Sequence, residues 1–130
     1  MPSRFDLAAF GYILGCVLFT VYGQLIIKWR VSGFQDLPGS FEGKLNHVVK
    51  ALLDPFILSG LAAAFVAVGF WILALSKKIP LSYAYPFTSM SFILVLLASG
   101  LIFGEHVSWQ KVVGVGLIIS GIAISASSPA

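Results

Sequence analysis

The chain has 130 residues, of which 58% are hydrophobic and 10% are charged, and its formal net charge is +3. Soluble domains carry about 25% charged residues, and a soluble chain this short could not bury so much apolar surface. The composition therefore excludes an ordinary soluble domain. The modest charge gives no argument for a nucleic-acid partner, and the single cysteine, Cys16, excludes an internal disulfide.

Four stretches contain no Asp, Glu, Lys or Arg, and each is long enough to cross a bilayer. They are Leu7–Ile27, Pro55–Ser76, Ile79–Gly104 and Val112–Ala130. About 20 apolar residues of helix cross the hydrocarbon core, and a helix satisfies its own backbone there. The sequence therefore predicts an all-α protein, a four-transmembrane-helix bundle with spans at about 7–28, 55–76, 80–104 and 110–126. Residues 1–130 form a single membrane domain in this prediction.

The connection between the first two spans contains an amphipathic stretch, residues 41–53. Its apolar residues recur at helical spacing on one face, and its polar residues fall mostly on the other. The pattern predicts a short helix that lies in the membrane interface. A helix that merely packs on the bundle would show the same pattern.

Polar residues recur every four positions in the first span and end in Thr20, Gln24 and Lys28. Residues spaced by four are neighbours on a helix surface, and an amide without a partner is costly in hydrocarbon. We expect this ridge to line a substrate path, with Lys28 meeting an anionic group. The alternative is that Gln24 holds helices together while Lys28 reaches the lipid headgroups.

The third span places hydroxyl groups next to a proline. Ser82, Tyr85 and Ser89 fall on one helix face. Pro86 cannot donate to the carbonyl of Ser82, so we expect a kink there. The result would be a hydroxyl-lined surface, opposite Gln24, that binds a polar group within the membrane. The alternative is a structural kink whose serines bond to their own helix.

Small residues are closely spaced in the fourth span, at Gly114, Gly116, Ser120 and Gly121. Such residues let helix backbones approach each other in membranes. Four helices leave little room for a solute path, so we expect a second copy or a paralogue and take this span as the dimer contact. Packing within one subunit is the alternative.

Residues that carry chemistry are scarce. The four uncharged stretches also contain no histidine, so they lack the ionisable relay that a proton-coupled transporter normally needs. The sequence shows no metal-ligand cluster, catalytic triad or nucleotide-binding motif. We therefore expect no enzyme activity, no metal and no cofactor.

Two longer segments resemble a known group of transporters. They are "GQLIIKWRVSGF" (Gly23–Phe34) and the stretch from "FWILALSKKIPLSYAYPF" to "LIFGEHVSWQKVVGVGLIISGIAI" (Phe70–Ile124). Both are similar to small four-helix members of the drug/metabolite transporter superfamily. One branch, the small multidrug resistance proteins, consists of proton-coupled antiporters that work as antiparallel dimers. The resemblance places Thr20 where they have an essential glutamate, whereas their third-span tyrosine corresponds to Tyr85.

The second branch, which the chain resembles more closely, contains the paired subunits proposed to flip aminoarabinose-phospho-undecaprenol across the bacterial inner membrane. Its matching positions are occupied here by Gly23, Gln24, Lys28, Pro80, Leu81, Ser82, Ala84, Tyr85 and Pro86. The resemblance implies a subunit of a flippase for a lipid-linked sugar, a step of lipopolysaccharide modification, surrounded by membrane lipid. Lys28 or Arg30 would meet the phosphate, and Gln24 with the hydroxyls would meet the sugar. The partner would be a second copy or a paralogous small subunit.

Two other functions stay open at this point. A small exporter of the multidrug type would carry small cationic or polar solutes without a first-span carboxylate. A non-transporting partner of a larger membrane enzyme would form a stoichiometric complex and move no solute by itself.

Overall fold

A computed structural model describes residues 7–127, and all regular structure in this part of the chain is helical. The helices are α1 (Leu7–Ser32), α2 (Phe41–Leu53), α3 (Pro55–Leu75), α4 (Leu81–Thr88), α5 (Met90–Ile102) and α6 (Trp109–Ser127). Four segments are long and apolar enough to cross a membrane: α1, α3, α4 together with α5, and α6. The predicted all-α fold with four spans is confirmed. Residues 1–6 and 128–130 of the predicted domain lie outside the described residues.

The first span continues to Ser32, one turn beyond the expected end at Lys28. No glycine or proline occurs between Lys28 and Gly33, and long basic side chains at this end interact favourably with the negative end of the helix dipole. The Gly33 amide then donates to the Arg30 carbonyl at 3.1 Å, and the Phe34 amide donates to the Val31 carbonyl at 3.0 Å. These shorter turns end α1.

The predicted helix between the first two spans is α2. The hydroxyl of Ser40 caps its first turn by accepting from the Gly43 amide at 3.0 Å. In the described chain α2 contacts α3 and buries none of its residues. Its apolar face is exposed at Phe41, Leu45, Val48, Val49, Leu52 and Leu53. A bilayer interface would cover such a face.

The helices α1 and α3 form the tightest pair in the molecule. They run antiparallel and cross where Gly23 meets Gly60, so closely that a Cβ atom on Gly23 would lie 3.0 Å from the Gly60 carbonyl oxygen. Nearer the other end, Gly15 packs against the ring of Phe70. Glycine therefore brings the two backbones together, as small residues do in membrane helix pairs.

The third span is interrupted between α4 and α5. Pro86 lies inside α4, and the helix stops at Ser89, three residues after the expected kink position. The Ser89 amide donates to the Pro86 carbonyl at 3.1 Å, and the Phe92 amide donates to the Ser89 carbonyl at 3.0 Å. The interruption thus follows the turn in which Pro86 removes the hydrogen bond to the Ser82 carbonyl, and the helix resumes through these tighter turns.

Two contacts fix the third span against α1. The rings of Phe10 and Phe87 pack edge to face with centroids 6.1 Å apart, and Lys28 Nζ lies 3.8 Å from Glu105 Oε1. Both pairs join residues 77 positions apart in sequence, so the third span runs parallel to α1 in a constant register. The buried cluster between α1, α3 and α4 consists of Ile13, Val17, Val21, Ala74 and Ala84.

The last helix, α6, is the least covered of the four spans. A turn with Gly104 at a φ of +65°, a conformation that glycine adopts readily, leads towards it. α6 contacts α4 and α5 and buries none of its described residues. Most of its surface is therefore open to lipid or to another protein.

Candidate functional site

Lys28 and Glu105 form an ion pair at one end of the bundle. Lys28 lies on the last turns of α1, and Glu105 follows α5 in the turn to α6. Their charged atoms are 3.8 Å apart, and the side chains are 57% and 42% exposed, respectively. Exposed pairs of this kind contribute only about 0–1 kcal/mol. The pair is therefore weak, and both charges are accessible to a ligand.

Arg30, the other expected phosphate contact, is held by a different partner. Its guanidinium donates to both carboxylate oxygens of Asp54, with Nη2 at 2.6 Å and Nε at 3.2 and 3.1 Å. It also stacks near the rings of Trp29 and Phe56, at 5.5 and 5.0 Å from their centroids. Its charge is thus used to attach the end of α1 to the start of α3.

Asp54 joins three helices at this point. Its backbone amide donates to the Ala51 carbonyl at the end of α2, and its carboxylate accepts from the Phe56 and Ile57 amides at 2.9 and 3.3 Å. Hydrogen bonds from the Arg30 guanidinium hold the pKa of this carboxyl below its usual range. Burial opposes that shift, and the two amides add to it. Asp54 therefore stays ionised as the cap of α3 and the counter-ion of α1.

The polar ridge of α1 divides into two parts. Tyr12 packs against the Phe70 ring of α3, and the Thr20 side chain interacts with the Cys16 thiol. Gln24, one turn before Lys28, is exposed. Within residues 7–127 its amide has no side-chain hydrogen bond, and Lys28 is held by the weak pair with Glu105, so both are accessible to another molecule.

The hydroxyl groups of the third span also fall into two sets, those bonded to their own helix and those without a partner. Thr88 donates to the Tyr85 carbonyl at 2.6 Å, and Ser91 donates to the Thr88 carbonyl at 2.8 Å. Ser82, Tyr85 and Ser89 make no such bond to the described chain. The Tyr85 side chain is 64% exposed, and its ring meets Trp71 edge-on at 6.2 Å. The three residues expected on one face all have hydroxyls without a partner among the described residues, and Tyr83 and Ser99 share this property.

One chain does not bring these two polar groups together. In the parallel register of α1 and the third span, Tyr85 is level with the beginning of α1. Gln24 lies about 16 residues further along, or about 24 Å at a rise of 1.5 Å per residue. Gln24 and Lys28 therefore lie near one end of the bundle, and the free hydroxyls of the third span lie near the other.

A groove between α5 and α6 opens beside the Lys28–Glu105 pair. Its volume is about 630 Å³, and most of its lining is apolar. Lining residues include Leu97, Gly100, Leu101, Glu105, Val112 and Val115. A second apolar groove, between α1 and α3, contains Tyr22 Oη hydrogen-bonded to Ser59 Oγ at 2.9 Å. Glu105 was not predicted as a site residue from the sequence. The first and third spans of a four-span protein run in the same direction, and this alone indicates that Lys28 and Glu105 lie on the same side of the membrane.

The residues expected at a dimer contact lie on the open helix α6. Gly114 is half-buried, whereas Gly116, Ser120 and Gly121 are exposed. A Cβ atom added at any of the three glycines would have nothing within 4 Å. The Ser120 hydroxyl donates back to the Gly116 carbonyl at 2.9 Å. These residues do not take part in tight packing within the described chain.

Comparison with known proteins gives one family and a consistent set of relatives. The family model for the Small Multidrug Resistance protein matches residues 44–118 and so leaves out α1. The chain is 38% identical to the probable 4-amino-4-deoxy-L-arabinose-phosphoundecaprenol flippase subunit ArnE of Aeromonas hydrophila, over 84% of this chain and 88% of the relative. It is 35% identical to the ArnF subunit of Erwinia tasmaniensis, over 87% and 90%. No solved structure matches the chain.

Both kinds of flippase subunit are similar to this chain. In Aeromonas hydrophila, the ArnF subunit is 32% identical over 99% of this chain and 86% of the relative. The match to this ArnF subunit covers 99% of the chain and therefore includes the first span with Gln24 and Lys28, which the family model leaves out.

Proposed function

The chain belongs to the small multidrug resistance family of multi-pass membrane proteins, and from this premise we propose that it is a subunit of a bacterial inner-membrane flippase. Its substrate would be a polyprenyl-phosphate-linked sugar of the aminoarabinose type. The similarity to two kinds of flippase subunit, over at least 84% of the chain, is the observation that carries this proposal.

The geometry of the described residues suits such a substrate. A lipid-linked sugar has an anionic phosphate, a polar sugar and a long apolar tail. Lys28 offers an accessible positive charge near the end of a span, and Gln24 offers a free amide one turn deeper. Ser82, Tyr85 and Ser89 offer hydroxyls near the opposite end. A head group that crosses the bilayer needs polar contacts near both faces, because bare polar groups are costly in hydrocarbon.

We further propose that the active unit is a dimer, formed with a second copy or with a paralogous subunit. Three observations support it: the relatives are named as subunits, α6 buries nothing in one chain, and the two polar groups lie far apart. Gly114, Gly116, Ser120 and Gly121 would form the contact, since small residues allow close helix approach. In such a dimer, α2 would rest with its exposed apolar face in the membrane interface.

A flipping assay tests the proposal. The protein, alone and together with a candidate paralogue, is placed in liposomes that contain a labelled polyprenyl-phosphate amino sugar, and the label that reaches the outer leaflet is measured. We expect transfer by the wild type and its loss in Lys28→Ala and Gln24→Ala. Lys44→Ala is the matched control, because Lys44 is an exposed residue of α2.

The outcomes separate the alternatives. No transfer in either preparation would contradict the flippase. Normal transfer by both variants would refute the site but not the function. Transfer only in the presence of the paralogue would identify a heterodimer.

Membership of the small multidrug resistance family favours a second candidate function, the export of small cationic or polar solutes. Thr20 takes the place of the carboxylate that the family resemblance predicts at this position, so this exporter would need another way to couple transport to protons. Proton release on addition of a quaternary ammonium compound would support it. If the protein moves neither solute nor lipid but co-purifies stoichiometrically with a membrane enzyme, the non-transporting partner becomes the better hypothesis.

A further inference from the structure

The weak ion pair between Lys28 and Glu105 has the right properties for a site that exchanges partners. Its charged atoms lie 3.8 Å apart, and both side chains are largely open to their surroundings. Because an exposed pair contributes little to stability, separating the two charges costs little if each gains a new partner of opposite sign.

The other charged side chains of the described residues do not form a similar accessible pair at this end of the bundle. Arg30 is bound through two of its nitrogens to Asp54, and the Lys111 ammonium donates to the His106 carbonyl at 3.1 Å. Of the carboxylates in residues 7–127, Asp36 and Glu42 belong to the α1–α2 connection and to α2, and Asp54 is occupied. Lys28 and Glu105 are thus an accessible pair of opposite charges at the end of two neighbouring spans.

The apolar groove between α5 and α6 begins at Glu105. Leu97, Leu101 and Val112 line it, and Glu105 and His106 are the polar residues of its lining. A ligand that fits both features has a head group with one positive and one negative charge and an apolar chain. A phosphodiester-linked amino sugar on a polyprenyl chain has this chemistry, since its ammonium and phosphate charges cancel.

We propose that Glu105 binds the ammonium group of the sugar, that Lys28 binds the phosphate, and that the α5–α6 groove holds the first part of the polyprenyl chain. This inference rests on the proposed function and makes it more specific. Glu105 becomes the residue that selects an amino sugar over a neutral one, because a charge-assisted hydrogen bond to the ammonium is lost when the amine is blocked.

A binding measurement tests the charge assignment. Native mass spectrometry of the purified assembly compares two lipids, one with the free amine and one with the same amine acetylated. We expect the wild type to prefer the free amine by about tenfold and Glu105→Gln to lose that preference. Lys28→Gln should weaken the binding of both lipids, and Glu42→Gln, the same chemical change on α2, should keep the wild-type preference.

The groove is tested in the same measurement with two neighbouring positions of α6. Val112 lines the groove, and Val113 is similarly exposed but does not line it. We expect Val112→Trp to weaken the binding of both lipids by about tenfold and Val113→Trp to bind as the wild type does. Equal effects of the two substitutions would overturn the assignment of the groove.

Transport on the same preparations separates the inference from the proposed function. An unchanged preference for the free amine in Glu105→Gln overturns the role of Glu105, whether or not the wild type flips the lipid. A failure of the wild type to bind either lipid also overturns the inference. Selective binding without flipping supports the binding site and contradicts the flippase.

Discussion

The α1–α3 pair and helix α6 are both apolar and rich in glycine, yet they are packed in opposite ways. Gly23 and Gly60 bring two backbones into contact, and an ion pair fixes the end of α1 to the start of α3. A Cβ atom added at any of the three glycines of α6 would meet nothing within 4 Å among the described residues. Glycine spacing therefore indicates a helix that is able to pack closely, and the partner must be found from the contacts themselves. α1 and α3 are the fixed part of the subunit, and α6 is its open side.

The largest effect is expected where the two backbones cross. A Cβ atom on Gly60 would lie 2.7 Å from Ile26 Cγ2 and 3.3 Å from the Gly23 carbonyl oxygen. Gly60→Leu must push α1 and α3 apart, and we expect it to lower the free energy of unfolding by about 3 kcal/mol, the upper end of the usual cost of overpacking.

This loss of stability is measured by unfolding the protein with SDS in mixed micelles. The fluorescence of Trp29 monitors the unfolding, in a protein that also carries Trp71→Phe and Trp109→Phe. Trp29 is a suitable reporter because its ring meets the α3 residue Phe56 at 5.2 Å. Gly69→Leu is the control, since a Cβ atom there would have nothing within 4 Å. If the two variants unfold alike, α1 and α3 do not cross as described.

A smaller loss of stability is expected at Asp54, where α1, α2 and α3 meet. Asp54→Ala removes both the ion pair with Arg30 and the cap of α3. Asp54→Asn removes the charge and keeps a good capping side chain. We therefore expect both variants to unfold at lower SDS than the wild type, Asp54→Ala more than Asp54→Asn. Equal unfolding of Asp54→Asn and the wild type would show that the pair adds nothing to the fixed part.

The Arg30–Asp54 pair predicts that the stability of the protein depends on pH. The pKa of Asp54 is lowered from its ordinary value of 3.8 by the Arg30 guanidinium. The stabilisation is complete above 3.8 and is lost as the pH falls through the lower pKa of the folded state. The difference in unfolding midpoint between the wild type and Arg30→Gln should thus be constant near neutral pH and shrink below about pH 4. A difference that grows towards low pH would contradict the assignment.

The spans were predictable from the sequence, and the contacts between them were not. Spans follow from composition, because a bilayer demands about 20 apolar residues per helix, and the α2 helix follows from the spacing of its apolar residues. The order of packing does not follow from composition. The attachment of Arg30 to Asp54 and the proximity of Lys28 to Glu105 both depend on how separate helices meet.

The candidate site shows the same limit. Periodicity placed Gln24 with Lys28 on α1, and Ser82 with Tyr85 on the third span, because residues within one helix share a known geometry. It gave no information on the axial register between α1 and the third span. The two groups were expected to face each other, and the parallel register of α1 and the third span places them at opposite ends of one chain.

The last prediction concerns a substitution in α6, for which we expect the smallest effect on the stability of the single chain. A Cβ atom on Gly121 would have nothing within 4 Å, so we expect Gly121→Leu to unfold as the wild type does when the protein is dilute. If α6 is the dimer contact, the added side chain separates two helices that meet through small residues. Energy transfer between donor- and acceptor-labelled subunits in liposomes should then fall, whereas Gly69→Leu on α3 should leave it unchanged. Loss of stability in the dilute protein with normal energy transfer would assign α6 to packing within its own subunit, and the open side would have to be sought elsewhere.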